Sequence, residues 1–102
     1  DHSERITLNA RNNHGWTALM LACWNGHKDV VKLILDHSER IDLNSRDNYR
    51  NTAFILACKQ GHTDVVLLLL DHSKEIDTKI PENLVIPKDI KILIDKENKK
   101  AI

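Results

Sequence analysis

The chain has 102 residues, 29% of them charged and 41% hydrophobic, with 15 basic side chains balanced by 15 acidic ones. That composition is ordinary for one globular domain and offers no global electrostatic pull toward nucleic acid or an anionic membrane. No run approaches the ~18 consecutive apolar residues of a membrane span, and the polar opening residues are not a secretory signal.

The segment Asp1 to Leu35 returns almost residue for residue as Asp36 to Leu70, and Asp-His-Ser opens again at Asp71, which sets a period of 35 residues with 22 of the 35 paired positions identical. Fixed periods of ~20 to 50 residues mark solenoids, in which each unit buries its apolar face against its neighbours. Function then lies on the surface that the stack presents.

In chain order, polar punctuation at Asn12-Asn13-His14-Gly15 precedes Thr17 and the short apolar stretch Ala18 to Cys23. This predicts a turn, an N-cap threonine and a two-turn helix that stops at Asn25-Gly26, where glycine takes the left-handed conformation. A second helix is expected over about Lys28 to His37. Its Val30, Val31, Leu33, Ile34 and Leu35 are apolar almost all round, as for a helix packed on both sides by neighbouring repeats. The same reading applies one period later: turn at Asp47 to Asn51, cap at Thr52, helix over Ala53 to Cys58, stop at Gln60-Gly61, helix over Thr63 to His72. Nothing alternates with period two, so strands are not expected. Beyond Asp77 the pattern decays, and Pro87 suits the first position of a last helix whose Ile86, Ile90, Leu93 and Ile94 share one face, with Lys96 to Lys100 solvated.

The run Gly15-x-Thr17-Ala18-Leu19-x-Leu21-Ala22-Cys23-x-x-Gly26-His27-x-x-Val30-Val31-x-Leu33-Ile34-Leu35, followed by Asp42-x-Asn44, resembles the ankyrin repeat, and so does its copy from Thr52 to Asp77. The resemblance implies an all-α solenoid of stacked helix-turn-helix units with β-hairpin loops, whose hairpin tips and first helices line a concave groove. On that reading residues 1–11 are the tail of a preceding repeat, 12–46 and 47–80 are repeats, and 81–102 form a degenerate C-terminal cap to a chain cut from a longer array. Three departures stand out. Met20 and Ile55 replace the family's loop-tying histidine by apolar contact. Two extra residues fall in Asp36 to Arg40, where they should lengthen the second helix or its exit. Arg50 replaces the hairpin glycine present at Gly15, which requires a different or a strained backbone.

Cys23 and Cys58 sit at one phase of successive repeats, roughly 8–10 Å apart if helices stack normally, beyond the ~7 Å limit for a disulfide. They read as buried core thiols in a reducing, intracellular and most naturally cytoplasmic setting. The thrice-repeated Asp-His-Ser carries the letters of a hydrolase triad, but consecutive helical residues point ~100° apart, so the histidines read as partners of helix C-termini. Five of the six histidines follow the repeat period and lack metal-ligand spacing. The resemblance gives His27 and His62 a loop-bracing role. Neither catalysis nor a cofactor or metal is expected.

Of the 13 mismatches between copies, six fall at 12/47, 14/49, 15/50, 16/51, 24/59 and 25/60, on the predicted tips and exposed first-helix ends. The predicted partner-binding residues are therefore Arg11, Asn13, His14, Trp16, Trp24, Asn25, Arg46, Asp47, Tyr49, Arg50, Asn51, Lys59 and Gln60. Tryptophans beside a local excess of cations predict a protein partner that offers an acidic segment with an aromatic or aliphatic anchor, with neither nucleic acid nor membrane as partner. The alternative is a targeting segment of a larger multidomain protein whose catalysis or anchoring lies elsewhere.

Overall fold

A computed structural model describes residues 10–37 and 41–100, with the side chains of 98–100 left out. It contains five helices: α1 (Ala18–Asn25), α2 (Lys28–Leu35), α3 (Ala53–Gln60), α4 (Thr63–Leu70) and α5 (Lys88–Lys100). The expected tail over 1–9 and the Ser38-Glu39-Arg40 part of the insertion lie outside the described residues.

Each first helix begins where the chain predicts. Thr17 and Thr52 are extended, and their Oγ1 atoms accept from Met20 N at 3.3 Å and Ile55 N at 3.2 Å, satisfying one orphan donor at each helix start. Each ends on a left-handed glycine: His27 N reaches Ala22 O at 2.9 Å and His62 N reaches Ala57 O at 3.2 Å, the crossed bonds of a Schellman turn. The polypeptide reverses at once into α2 and α4, giving two antiparallel pairs. The connections between pairs are tight turns, closed by Asn12 N to Trp16 O at 3.0 Å and Asp47 N to Asn51 O at 2.9 Å, with no strand among the described residues.

The pairs stack by translation: α1 packs on α3, α2 on α4, and α5 closes the far side of α4. One core runs through the stack; Met20 lies in it and Ile55 is likewise buried, the apolar substitution expected where the family carries a histidine. Ala22 and Ala57 are buried on the contacting first helices, where a methyl side chain lets backbones approach closely. Ile41, Leu43 and Ile76 tuck the exits from α2 and α4 beneath the same core.

Three expectations change. The second helices end at Leu35 and Leu70, two residues early, and in the second copy the extra residues form a turn with Ser73 N on Leu70 O and Glu75 N on His72 O. The insertion there lengthens the exit, not the helix. Pro87 precedes α5 as its cap, its carbonyl accepting from Lys91 N at 3.1 Å, so it sits one position ahead of the expected place. Burial on both sides holds for α4 but not for α2, where Val30 and Leu33 stand exposed because their side of α2 faces away from α4.

Ala57 has no accessible surface at all. Ala57→Leu should overpack the α1–α3 contact and cost ~1–3 kcal/mol, read as a lowered denaturant midpoint with an unchanged slope.

Candidate functional site

The two turn tips are built alike from different residues. Asn12 Oδ1 accepts from His14 N at 2.9 Å and Trp16 N at 3.0 Å, while Asp47 Oδ1 accepts from Tyr49 N at 2.8 Å and Asn51 N at 2.7 Å. Both are Asx turns in which a side-chain oxygen replaces a backbone acceptor. The carboxylate has a second oxygen to use. Asp47 Oδ2 accepts from Trp16 Nε1 at 2.8 Å and Asn51 Nδ2 at 3.2 Å, so the indole of one repeat is clamped by the tip of the next.

Asp47 is almost fully buried. Burial pushes its pKa up, but the bonds from Asn51 N, Trp16 Nε1, Tyr49 N and Asn51 Nδ2 together outweigh this and leave it below the ordinary carboxylate value. Its visible role is to shape the tip.

The tips are also tied to each other. Asn48 Nδ2 donates to Asn13 O at 3.0 Å and Asn48 N to His14 O at 3.0 Å. Arg11 Nη1 donates to Gly15 O at 3.3 Å and Arg46 O at 2.7 Å; Arg46 Nη1 donates to Arg50 O at 3.0 Å, with Nη2 4.0 Å from Asp77 Oδ2. Nearer the second helices, Asn44 bridges Glu75 O and Asp77 N, and Lys79 at the next equivalent position ends this series. Asn48 and Asn44 stand outside the predicted site, although Asn48 is identical to Asn13 one period earlier.

The predicted site residues therefore divide. Arg11, Arg46, Asp47 and Asn51 are engaged inside the tips. Trp16 and Trp24 are half-buried, with ring centroids 5.2 Å apart, and both pack on the core; Trp24 rests on Trp16 and its carbonyl accepts from His62 Nε2 at 2.8 Å. Asn13, His14, Asn25, Tyr49, Arg50, Lys59 and Gln60 are exposed, Asn25 donating back to Leu21 O and the His14 ring lying 5.7 Å from that of Trp16. Tyr49 is 70% exposed, and the charged ends of Arg50 and Lys59 make no hydrogen bond or ion pair with described residues.

Arg50 also has a backbone that a side chain disfavours. Its φ is 67°, where Gly15 in the first copy has 79°, so the turn geometry is kept without the glycine. A non-glycine, non-asparagine residue there stores of order 1 kcal/mol of strain.

His37 Nδ1 donates to Leu33 O at 2.8 Å and His72 Nδ1 to Leu68 O at 3.0 Å, so both histidines of the Asp-His-Ser copies within reach cap their own helix ends. Cys23 and Cys58 are free thiols, both pushed up to about 12 by burial, Cys23 also by proximity to Cys58. Among the described residues no group of three or more His, Cys, Asp or Glu is placed to hold a metal ion, and no helix is long and apolar enough to cross a membrane. An open hollow of about 830 Å³ between the 78–86 segment and α5, floored by Ile80, Leu84, Ile86 and Ile94, includes none of the predicted site residues.

Helix pairs translated one on the next, braced tip to tip, define a helical solenoid. The sequence matches the family model for ankyrin repeats (3 copies) over residues 3–80, and the chain belongs to the ankyrin repeat family. Members of this family generally act as protein–protein interaction modules. No curated protein matches the chain.

Because the carboxylate of Asp47 has a depressed pKa in the fold, its contribution to stability is complete above about pH 5 and is lost as pH falls through 3.8 toward the folded value. Acid titration followed by tryptophan fluorescence should show Trp16 released in that window. Asp47→Asn should lower stability at neutral pH and flatten the dependence as pH falls below about 5.

Proposed function

We propose that the chain binds a partner protein through its turn tips and first helices, and that Tyr49 and Arg50 form the centre of the contact. The observation that carries this is the tip at Asp47 to Asn51. A fold selected for stability alone would keep glycine at position 50, as at Gly15. Instead a strained arginine, its guanidinium without a partner among the described residues, stands beside an exposed tyrosine, on a backbone that Asp47 holds rigid. A pre-ordered tip loses little entropy on binding, and tyrosine and arginine are the side chains most often found at energetic centres of interfaces.

Lys59 adds a second cation from α3, so the reading favours a partner segment with carboxylates flanking an aromatic or aliphatic anchor. We take 12–46 and 47–80 as the two repeats and 81–102 as the C-terminal cap. The two reduced, buried thiols suit an intracellular location.

The test uses acidic peptides with one aromatic anchor, selected on the chain from a displayed library. Arg50→Glu should weaken them at least tenfold, about 1.4 kcal/mol. Arg50→Gly should weaken them as well while raising stability by ~1 kcal/mol, which separates binding from folding. Lys32→Glu, on exposed α2, should change nothing. Ligands that ignore Arg50 and are lost with Lys32→Glu would overturn the assignment.

A further inference from the structure

The 35-residue period continues past the second repeat in register, though not in residue type. Asn83 stands one period after Asn48 and two after Asn13, so 81–86 holds the tip position, and α5 begins at Lys88, one period after the start of α3 at Ala53. This last unit is packed and closed differently from the two before it. α3 packs on α1, whereas α5 packs chiefly on α4. Glu82 stands at the phase of Asp47 but makes no Asx turn; the backbone bond from Leu84 N to Pro81 O at 3.1 Å closes the tip instead. With the helix drawn away from the row of first helices, a hollow of about 830 Å³ is left between α5 and the 78–86 segment.

The lining of the hollow is aliphatic at its floor and cationic at its sides. Ile94 is buried, Ile80, Leu84 and Ile86 are half-buried, and Val85, at the phase of Arg50, is 92% exposed; no aromatic side chain lines the space. Lys79 adjoins Ile80 on one wall, and Lys88 and Lys91 lie a turn apart on the other. None of these three lysines forms an ion pair with a described residue. Glu82 and Asp95 also border the hollow, so three cations face two anions, and the N-terminal end of α5 adds to the positive side.

We propose that this hollow is the socket for the partner's anchor, and that the anchor is a pair of neighbouring aliphatic side chains in an acidic segment. The inference rests on the reading that a partner protein meets the tip at Tyr49 and Arg50, and it deepens that reading by placing the anchor one period further on. The space exceeds what a single side chain fills, which favours two. With no ring in the lining to stack against, an aromatic anchor would gain only its buried area, whereas branched aliphatic chains match the isoleucine and leucine floor. Carboxylates beside the pair would meet Lys79, Lys88 and Lys91, whose charges no described residue neutralises.

The probe is a fluorescein-labelled synthetic peptide with two adjacent leucines between pairs of glutamates, titrated against the full chain. Leu84→Asp should weaken its binding by roughly tenfold or more. Leu84 lies outside the core cluster, and Val85→Asp, at a position 92% exposed, should act in the same direction with the unfolding midpoint unchanged. Lys88→Glu should weaken binding by roughly threefold while the midpoint stays or rises, since an acidic residue suits the first turn of a helix. A probe with serines for the leucines should not bind, and one with tryptophans should bind more weakly. Arg50→Glu separates the two readings. Loss of binding with Arg50→Glu, while Leu84→Asp and Val85→Asp bind as the unsubstituted chain does, would overturn the socket and leave the tip; the reverse pattern would support the socket and overturn the tip. No binding of the leucine probe, or equal binding of the tryptophan probe, would also overturn the proposal.

Discussion

A helix of two turns leaves most of its backbone donors and acceptors at its own ends, and in water eight residues do not repay the cost of nucleation. All four of the helices in the repeats are of that length. They persist because each is held between a capping threonine or histidine junction and a neighbour in the stack, so the contact of one pair with the next is the constraint on which the remaining features depend. Ala22 and Ala57 keep that contact short, and their size is fixed by it.

The sequence reveals the elements whose signals are local. Thr17, Thr52, Gly26 and Gly61 mark helix ends through chemistry confined to four or five residues, and the starts at Ala18 and Ala53 fall where those signals put them. What was not legible depends on residues one period apart. Val30 and Val65 are the same letter, yet one is exposed and the other closed, since burial is a property of the neighbour and not of the helix. The early ends at Leu35 and Leu70 have a similar origin: Asp36-His37 and Asp71-His72 carry no local helix breaker, and it is the packing of Ile41 and Ile76 under the core that goes with the turn there.

The candidate site was legible in outline and not in its division of labour. Mismatches between copies concentrate at the tips, as the pattern suggested, but two of them explain each other. Asn12 needs only one oxygen to close its turn; Asp47 uses one oxygen for the same turn and the other for Trp16. Substitution at 12/47 and 16/51 is thus a single cross-repeat hydrogen bond seen as two differences. Counting mismatches treats these as independent evidence for a partner, and only the carboxylate geometry shows that they are not.

With that pair accounted for, the tip retains differences that no internal contact requires. The arginine at 50 is the informative one, because its neighbours work against its backbone and not for it. Asp47 and Asn51 set a turn that glycine would satisfy without strain, and Arg46 bonds the carbonyl of residue 50, an interaction indifferent to the side chain. No hydrogen bond or ion pair among the described residues uses the guanidinium. A side chain kept at an energetic cost, exposed and next to an exposed tyrosine, is what the proposed contact rests on, and a rigid tip would present both to a partner with little loss of entropy.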